Sequence, residues 1–234
     1  MPNWASNTLT IVSNNINLLR RIRDDITIKC KGEKKGKTIS VIDFNRIVPM
    51  PKTMESDWVG GEADSFRYYC LKSGKEMPKG YNRCFKPMEF TYKKDGSMYE
   101  LADYEQDECF KTKLDFMYQY GASIYINVTK YGYKGSYDWC KAKWGTKWNA
   151  SEPFPFEYFG EPVDRMACTF DTAWTAPVPI AEEISRKYHV KVILYSTYEG
   201  GERPTKYVYL NGKETKYIEY GDEVDGMDKE TEEN

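Results

Sequence analysis

The chain has 234 residues, 40% of them hydrophobic, 15% aromatic and 30% charged, with a net charge of −2. That is enough apolar material for one large domain, or for one domain with an elaborate insertion. No apolar run approaches the ~18 residues of a membrane span. The opening MPNWASNTLT lacks the basic and apolar regions of a signal peptide, so a soluble, cytoplasmic protein with no membrane partner is expected.

The charge is unevenly spread. Glu219–Asn234 hold eight acidic residues and one lysine, or −7, which leaves about +5 on the rest. A body that mildly basic lacks the field of a dedicated duplex binder, and residues 221–234 read as a disordered acidic tail. Cys30, Cys70, Cys84, Cys109, Cys140 and Cys168 stand singly, and His189 is the only histidine. No pair has the spacing of a zinc or iron–sulfur site, so neither metal nor cofactor is expected. The thiols read as free and mostly buried.

In chain order, Thr8–Val12 alternates as a strand, and Ser13 and Asn14 offer N-caps for a helix over about Asn15–Ile26. Ile16, Leu19, Ile22 and Ile26 form its inner stripe. Lys29–Lys37 (KCKGEKKGK) reads as a basic, glycine-broken loop, and Ile39–Val48 as a strand stopped by Pro49 and Pro51. Pro51–Tyr104 shows no sustained period and reads as short hairpins, with Phe85–Tyr92 across a turn from Met98–Leu101. From about Glu105 to Tyr131, Phe110, Leu114, Met117, Tyr118, Gly121, Tyr125 and Val128 keep a helical stripe. Ile124, Ile126 and Val128 also alternate as a strand would. The helix is preferred because it keeps one pattern throughout.

The stretch SYDWCKAKWGTKWNA, Ser136–Ala150, holds three of the six tryptophans. Ser136 suits the cap of a short helix, Asp138 its first turn and Gly145 a left-handed C-terminal cap. Met166–Trp174 alternates, with Met166, Cys168, Phe170 and Trp174 on one face. Pro179–Tyr188 reads as a helix burying Ile180, Ile184 and Tyr188, closed by His189. Val190–Tyr198 reads as a strand with Val190, Val192 and Leu194 inward. Tyr207–Leu210 and Thr215–Tyr220 flank the hairpin pair Asn211-Gly212.

Strand–helix–strand, an insertion, then strand–helix–strand is the pattern of an α+β, ferredoxin-like split βαβ sandwich. The first and third of these strands would be central, with both helices on one face. Residues 1–220 would form a single domain with a long helical and hairpin insertion at about 52–160.

Four segments carry a family resemblance: MPNWASNTLTI at Met1–Ile11, FNRIVPMP at Phe44–Pro51, YDWCKAKWGTKWNA at Tyr137–Ala150 and FDTAWTAPVPI at Phe170–Ile180. Together they resemble the YubB-type ferredoxin-like proteins of bacteriophages and conjugative plasmids. Ala5 stands where cysteine is common in that family, which argues against an obligatory thiol. The resemblance implies the fold and a mobile-element setting, but no reaction and no catalytic residue.

A Cys–His nucleophile would require His189 beside one of six dispersed cysteines. Gly60-Gly61 and Gly200-Gly201 lack the lysine and hydroxyl of a phosphate loop. No catalytic residue is assigned, and the candidate binding site is Trp139, Trp144, Thr146, Lys147, Trp148 and Asn149. Its rings either pack as core with Trp4 and Trp174, or border a concave contact surface. The reading of function is stoichiometric binding by a mobile-element accessory protein, inhibiting a host enzyme or an immune (anti-phage) effector. The alternatives are a nucleic-acid- or nucleotide-binding module and a nucleotide-processing enzyme.

Overall fold

The alternation in WASNTLTIV becomes the central strand of the molecule, β1 (Trp4–Val12), which buries Ala5, Asn7, Leu9 and Ile11. Burial of every second residue is what a sheet covered on one face imposes. The computed structural model describes residues 3–32, 38–55, 62–79 and 108–221. Backbone proximity divides the chain into two units, Met1–Pro49 with Cys140–Asn234, and Met50–Trp139. Residues 140–160, assigned to the insertion on sequence grounds, group with the first unit.

In the first unit β1 pairs antiparallel with β5 (Arg165–Ala173) on one side and with β6 (Lys191–Tyr198) on the other. β5 and β6 are therefore parallel, and α6 (Val178–Tyr188) joins them across β1. This is the split βαβ of the ferredoxin-like α+β fold. The sheet is completed by β4 (Glu157–Phe159), β7 (Thr205–Leu210) and β8 (Lys213–Glu219), in the order β4-β5-β1-β6-β7-β8. The expected first and third strands, β1 and β5, are both interior. Met166, Cys168, Phe170, Val192 and Leu194 share the buried face with Leu9, while α1 (Ile16–Ile26) buries Leu19, Ile22 and Ile26. Each such side chain contributes roughly 1.5–3 kcal/mol by leaving water.

A polar cluster of Asn7, Thr172 and Ser196 sits among them. Asn7, 2% exposed, donates to the carbonyls of Ala5 and Phe170 and to the Thr172 hydroxyl, and accepts from Ser196 at 2.8 Å. Both its amide nitrogen and its carbonyl oxygen have partners, so burying it orphans neither group.

Several local expectations are corrected. Asn15, not Ser13 or Asn14, caps α1, its side chain accepting from Asn17 N and Leu18 N. Lys29–Lys31 are not loop: they lie in β2 (Thr27–Lys31), paired with β3 (Thr38–Ile42) in a separate two-stranded sheet. Residues 33–37 lie outside the described residues. The run Ile39–Val48 is strand only to Ile42. Asp43 then accepts from Asn45 N at 3.0 Å and starts a short helix, α2 (Phe44–Ile47). The place beside β5 is taken instead by β4. His189 does close α6, at φ 55°, and Asn211 and Gly212, at φ 53° and 76°, make the hairpin turn both left-handed. Among the residues of β8 only Ile218 is half-buried; the rest are exposed.

In the second unit, Glu62–Ser73, where hairpins were expected, forms a helix, α3. The ambiguous stretch is also helical, α4 (Glu108–Tyr131). Phe66, Tyr69 and Cys70 of α3 meet Tyr120, Ile124 and Val128 of α4. The stripe is rotated from expectation: Leu114, Gly121 and Val128 are buried, but Tyr118 is exposed. The Phe110 side chain, the Phe85–Leu101 hairpin and the acidic tail lie outside the described residues.

Gly121 marks where the two helices touch. A Cβ there would drive into the Ser65 carbonyl and lie 2.6 Å from Tyr69 Cβ. Gly121→Ala is expected to destabilise this unit by about 2–3 kcal/mol through overpacking, despite alanine's better helix propensity. Amide exchange in α3 and α4 measures it, and unchanged protection would refute the close packing.

Candidate functional site

The tryptophan corner begins at α5 (Ser136–Lys143), within which the division between the two units falls. Ser136 is the first helical residue rather than the cap. Trp144 N donates back to Cys140 O at 2.7 Å, and Gly145 then turns left-handed at φ +77°. Glycine is required there twice over, because an added Cβ would meet Pro179 Cδ at 2.6 Å.

The six candidate residues separate into two groups. Four are turned inward. Trp139 is buried. Trp144, 2% exposed, sets its ring edge-on to Phe44 at 5.8 Å and donates its Nε1 proton to Val48 O at 2.9 Å. Phe44 in turn meets Phe170 of β5 edge-on at 5.7 Å. Thr146 is buried and donates its hydroxyl to Ala173 O. Asn149 donates to Asp43 Oδ1 at 2.6 Å and accepts from the backbone N–H of Phe44 and of Ala150. Asn149 is therefore part of the cap of α2, not a free recognition group.

The other two lie at the surface, Lys147 half-buried and Trp148 exposed. Trp148 is 45% exposed, and the Lys147 ammonium lies 4.4 Å from its ring centroid and 5.9 Å from that of Trp174. Trp4 packs against Trp148 at 6.3 Å with the rings tilted by 46°. Trp174 was expected to share the inner face of β5. The strand instead ends at Ala173, Trp174 takes φ +78°, and its indole is 54% exposed. The backbone N–H of Trp174 donates to Asn3 O at 2.9 Å, which fixes the turn. A left-handed backbone costs a side-chain-bearing residue roughly 1–2 kcal/mol, so the outward indole is held against a local penalty. Sequence periodicity continued one residue too far here, and no local signal marked the turn.

The three buried thiols among the described residues, Cys70, Cys140 and Cys168, are poorly placed for nucleophilic work. Burial pushes Cys140 up to about 11, and raises Cys168 and Cys70 as well. A protonated, buried thiol is a weak nucleophile at neutral pH. His189 is exposed at the end of α6. Among the described residues no group of three His, Cys, Asp or Glu side chains is arranged to hold a metal ion, and no helix is long and apolar enough to cross a membrane.

The fold and the corner define a ferredoxin-like α+β protein with a solvent-facing rim of tryptophan and lysine. Residues 143–234 match a family model described as the ferredoxin-like domain in Api92-like protein. Among solved structures the chain is similar to the crystal structure of the protein Api92 from Yersinia pseudotuberculosis. That match has a TM-score of 0.42 and 13% identity, over 94% of this chain and 99% of the other. A comparison with curated protein sequences finds no match.

Two outcomes test this partition. Asn149→Ala strands the Phe44 N–H and removes one of two donors to Asp43 Oδ1, so it is expected to cost about 2–3 kcal/mol in denaturant unfolding. Lys147→Ala should stay within about 0.5 kcal/mol. Cys140 keeps its proton to about 11 when folded, against 9.0 when not. Its contribution to stability is full below the unfolded value and lost as pH rises through the folded one. Replacing it by alanine should flatten the alkaline fall in stability over that window, and an unchanged pH profile would contradict the burial.

Proposed function

We propose that this chain acts by stoichiometric binding of a protein partner, with Trp148, Trp174, Trp4 and Lys147 at the centre of the contact. The observation that carries the reading is two indoles, 45% and 54% exposed, on a corner that is otherwise pinned. Tryptophans are seldom left this open, and they dominate the energy of protein contacts when a partner covers them. Thr146 and Asn149 anchor the chain on either side of Lys147 and Trp148. Little ordering entropy is then lost on docking.

The resemblance to phage and plasmid proteins supports the class of partner: a host enzyme or immune effector in the bacterial cytoplasm, inhibited by occupancy rather than by chemistry. The same exposed rings, with a lysine beside them, support nucleic-acid stacking as the second reading.

Trp174→Gly provides the test, because it removes the ring and relieves the left-handed backbone together. Its unfolding free energy is expected within about 1 kcal/mol of the parent. Its affinity for the co-purified partner should fall at least tenfold, about 1.4 kcal/mol, as should that of Trp148→Ala. Calorimetric titration reads both, and normal binding by both variants would refute the rim. Binding of a labelled oligonucleotide that weakens steeply with salt would favour the second reading instead.

A further inference from the structure

The sheet face opposite Leu9 and Leu194 holds a shallow cup of about 260 Å3. Its floor is two adjacent rungs across three strands. Ser6 stands between Asp171 and Thr197, and Thr8 between Thr169 and Tyr195. Each of these six side chains carries an oxygen. The wall is the segment before β4, tied to the edge of β5 by the Ser151–Asp171 bridge and by Phe154 N donating to Thr169 O. That segment brings Glu152, at φ 44°, and the 65% exposed ring of Phe154 to the rim.

The charges are one-sided. Asp171 accepts from the Ser6 hydroxyl at 2.8 Å, yet among the described residues neither Asp171 nor Glu152 is in an ion pair. No lysine or arginine lines the cup; Lys206, opposite Tyr195 on β7, stands outside the lining. Two carboxylates with no counter-charge in the lining repel a phosphate backbone and attract a cation. The hydroxyl oxygens around them can accept further hydrogen bonds, and the exposed ring of Phe154 offers a flat face.

We propose that the cup receives an arginine side chain of the partner protein that docks on the tryptophan rim. A guanidinium is planar, always charged and carries five donors, so it pairs with carboxylate and hydroxyl acceptors while stacking on an aromatic face. The inference rests on the binding role proposed above. Trp4 lies two residues before Ser6 on the same face of β1, so the rim begins one rung beyond the cup.

The test uses small probes and therefore does not need the partner. Acetyl-arginine amide is titrated into the full chain while the amide resonances of Thr169, Asp171 and Thr197 are followed. Acetyl-citrulline amide, the same shape without charge, and methyl glucoside are the controls. Arginine is expected to shift these amides saturably and to bind at least about fivefold more tightly than citrulline. Asp171→Asn and Glu152→Gln should each weaken it severalfold, with the remaining spectrum unchanged; if one variant misfolds, the other decides. Trp148→Ala should leave this titration untouched. No shift with arginine, or equal shifts with citrulline or glucoside, overturns the cup. Loss of partner binding in the tryptophan variants would still stand in that case, so the two readings fail separately.

Discussion

A hydrogen bond of 2.6 Å from Asn149 to the Asp43 carboxylate joins residues 106 apart in the chain. Asp43 ends β3 and starts α2 with the same oxygen, and α2 delivers Phe44 between Trp144 and Phe170. A single polar link thereby sets the position of a stack of rings that runs from the corner into the core of the sheet. Hydrogen bonds to a charged group contribute roughly 1.5–3 kcal/mol, and here the aromatic packing depends on one. The corner cannot shift without unmaking the cap of α2.

That coupling explains how two tryptophans stay outside. Lys147 and Trp148 occupy the short span between Thr146, bonded to Ala173, and Asn149. Trp174 follows Ala173 directly, so both exposed indoles are carried by the same rung at the end of β5. Rings presented from so stiff a base keep one geometry, which favours recognition of a complementary surface over non-specific adhesion.

Much of the fold could be read locally. The left-handed close of the helix at His189, the left-handed turn at Asn211-Gly212 and the buried stripe of Leu19, Ile22 and Ile26 in the first helix are all set by near neighbours, and all appear in the structure. The misreadings have separate causes. ISVIDFNRIV has β-branched residues on both sides of Asp43, which masked the cap that its side chain forms with Asn45 N and that a residue 106 positions away reinforces. β4 is three residues in a proline-rich connector, too short for any period to show. In α3 the spacing of Phe66, Tyr69 and Cys70 was helical but brief. At the site, Trp148 and Trp144 look alike in sequence; which is core is decided by Val48 O, available to one indole alone. Asn149 looked like recognition chemistry and proved to be scaffold for the same reason.

The ends of the sheet carry a consequence for how copies of the protein meet. One edge is β4, three residues long, and the other is β8, where Lys213, Glu214, Lys216 and Glu219 break up the exposed row. A strand arriving from another molecule would find either too few free backbone groups or a charged border, which disfavours the edge-to-edge growth that leads to fibres and precipitates. A molecule that wears tryptophans on its surface thus remains guarded against polymerising along its own sheet.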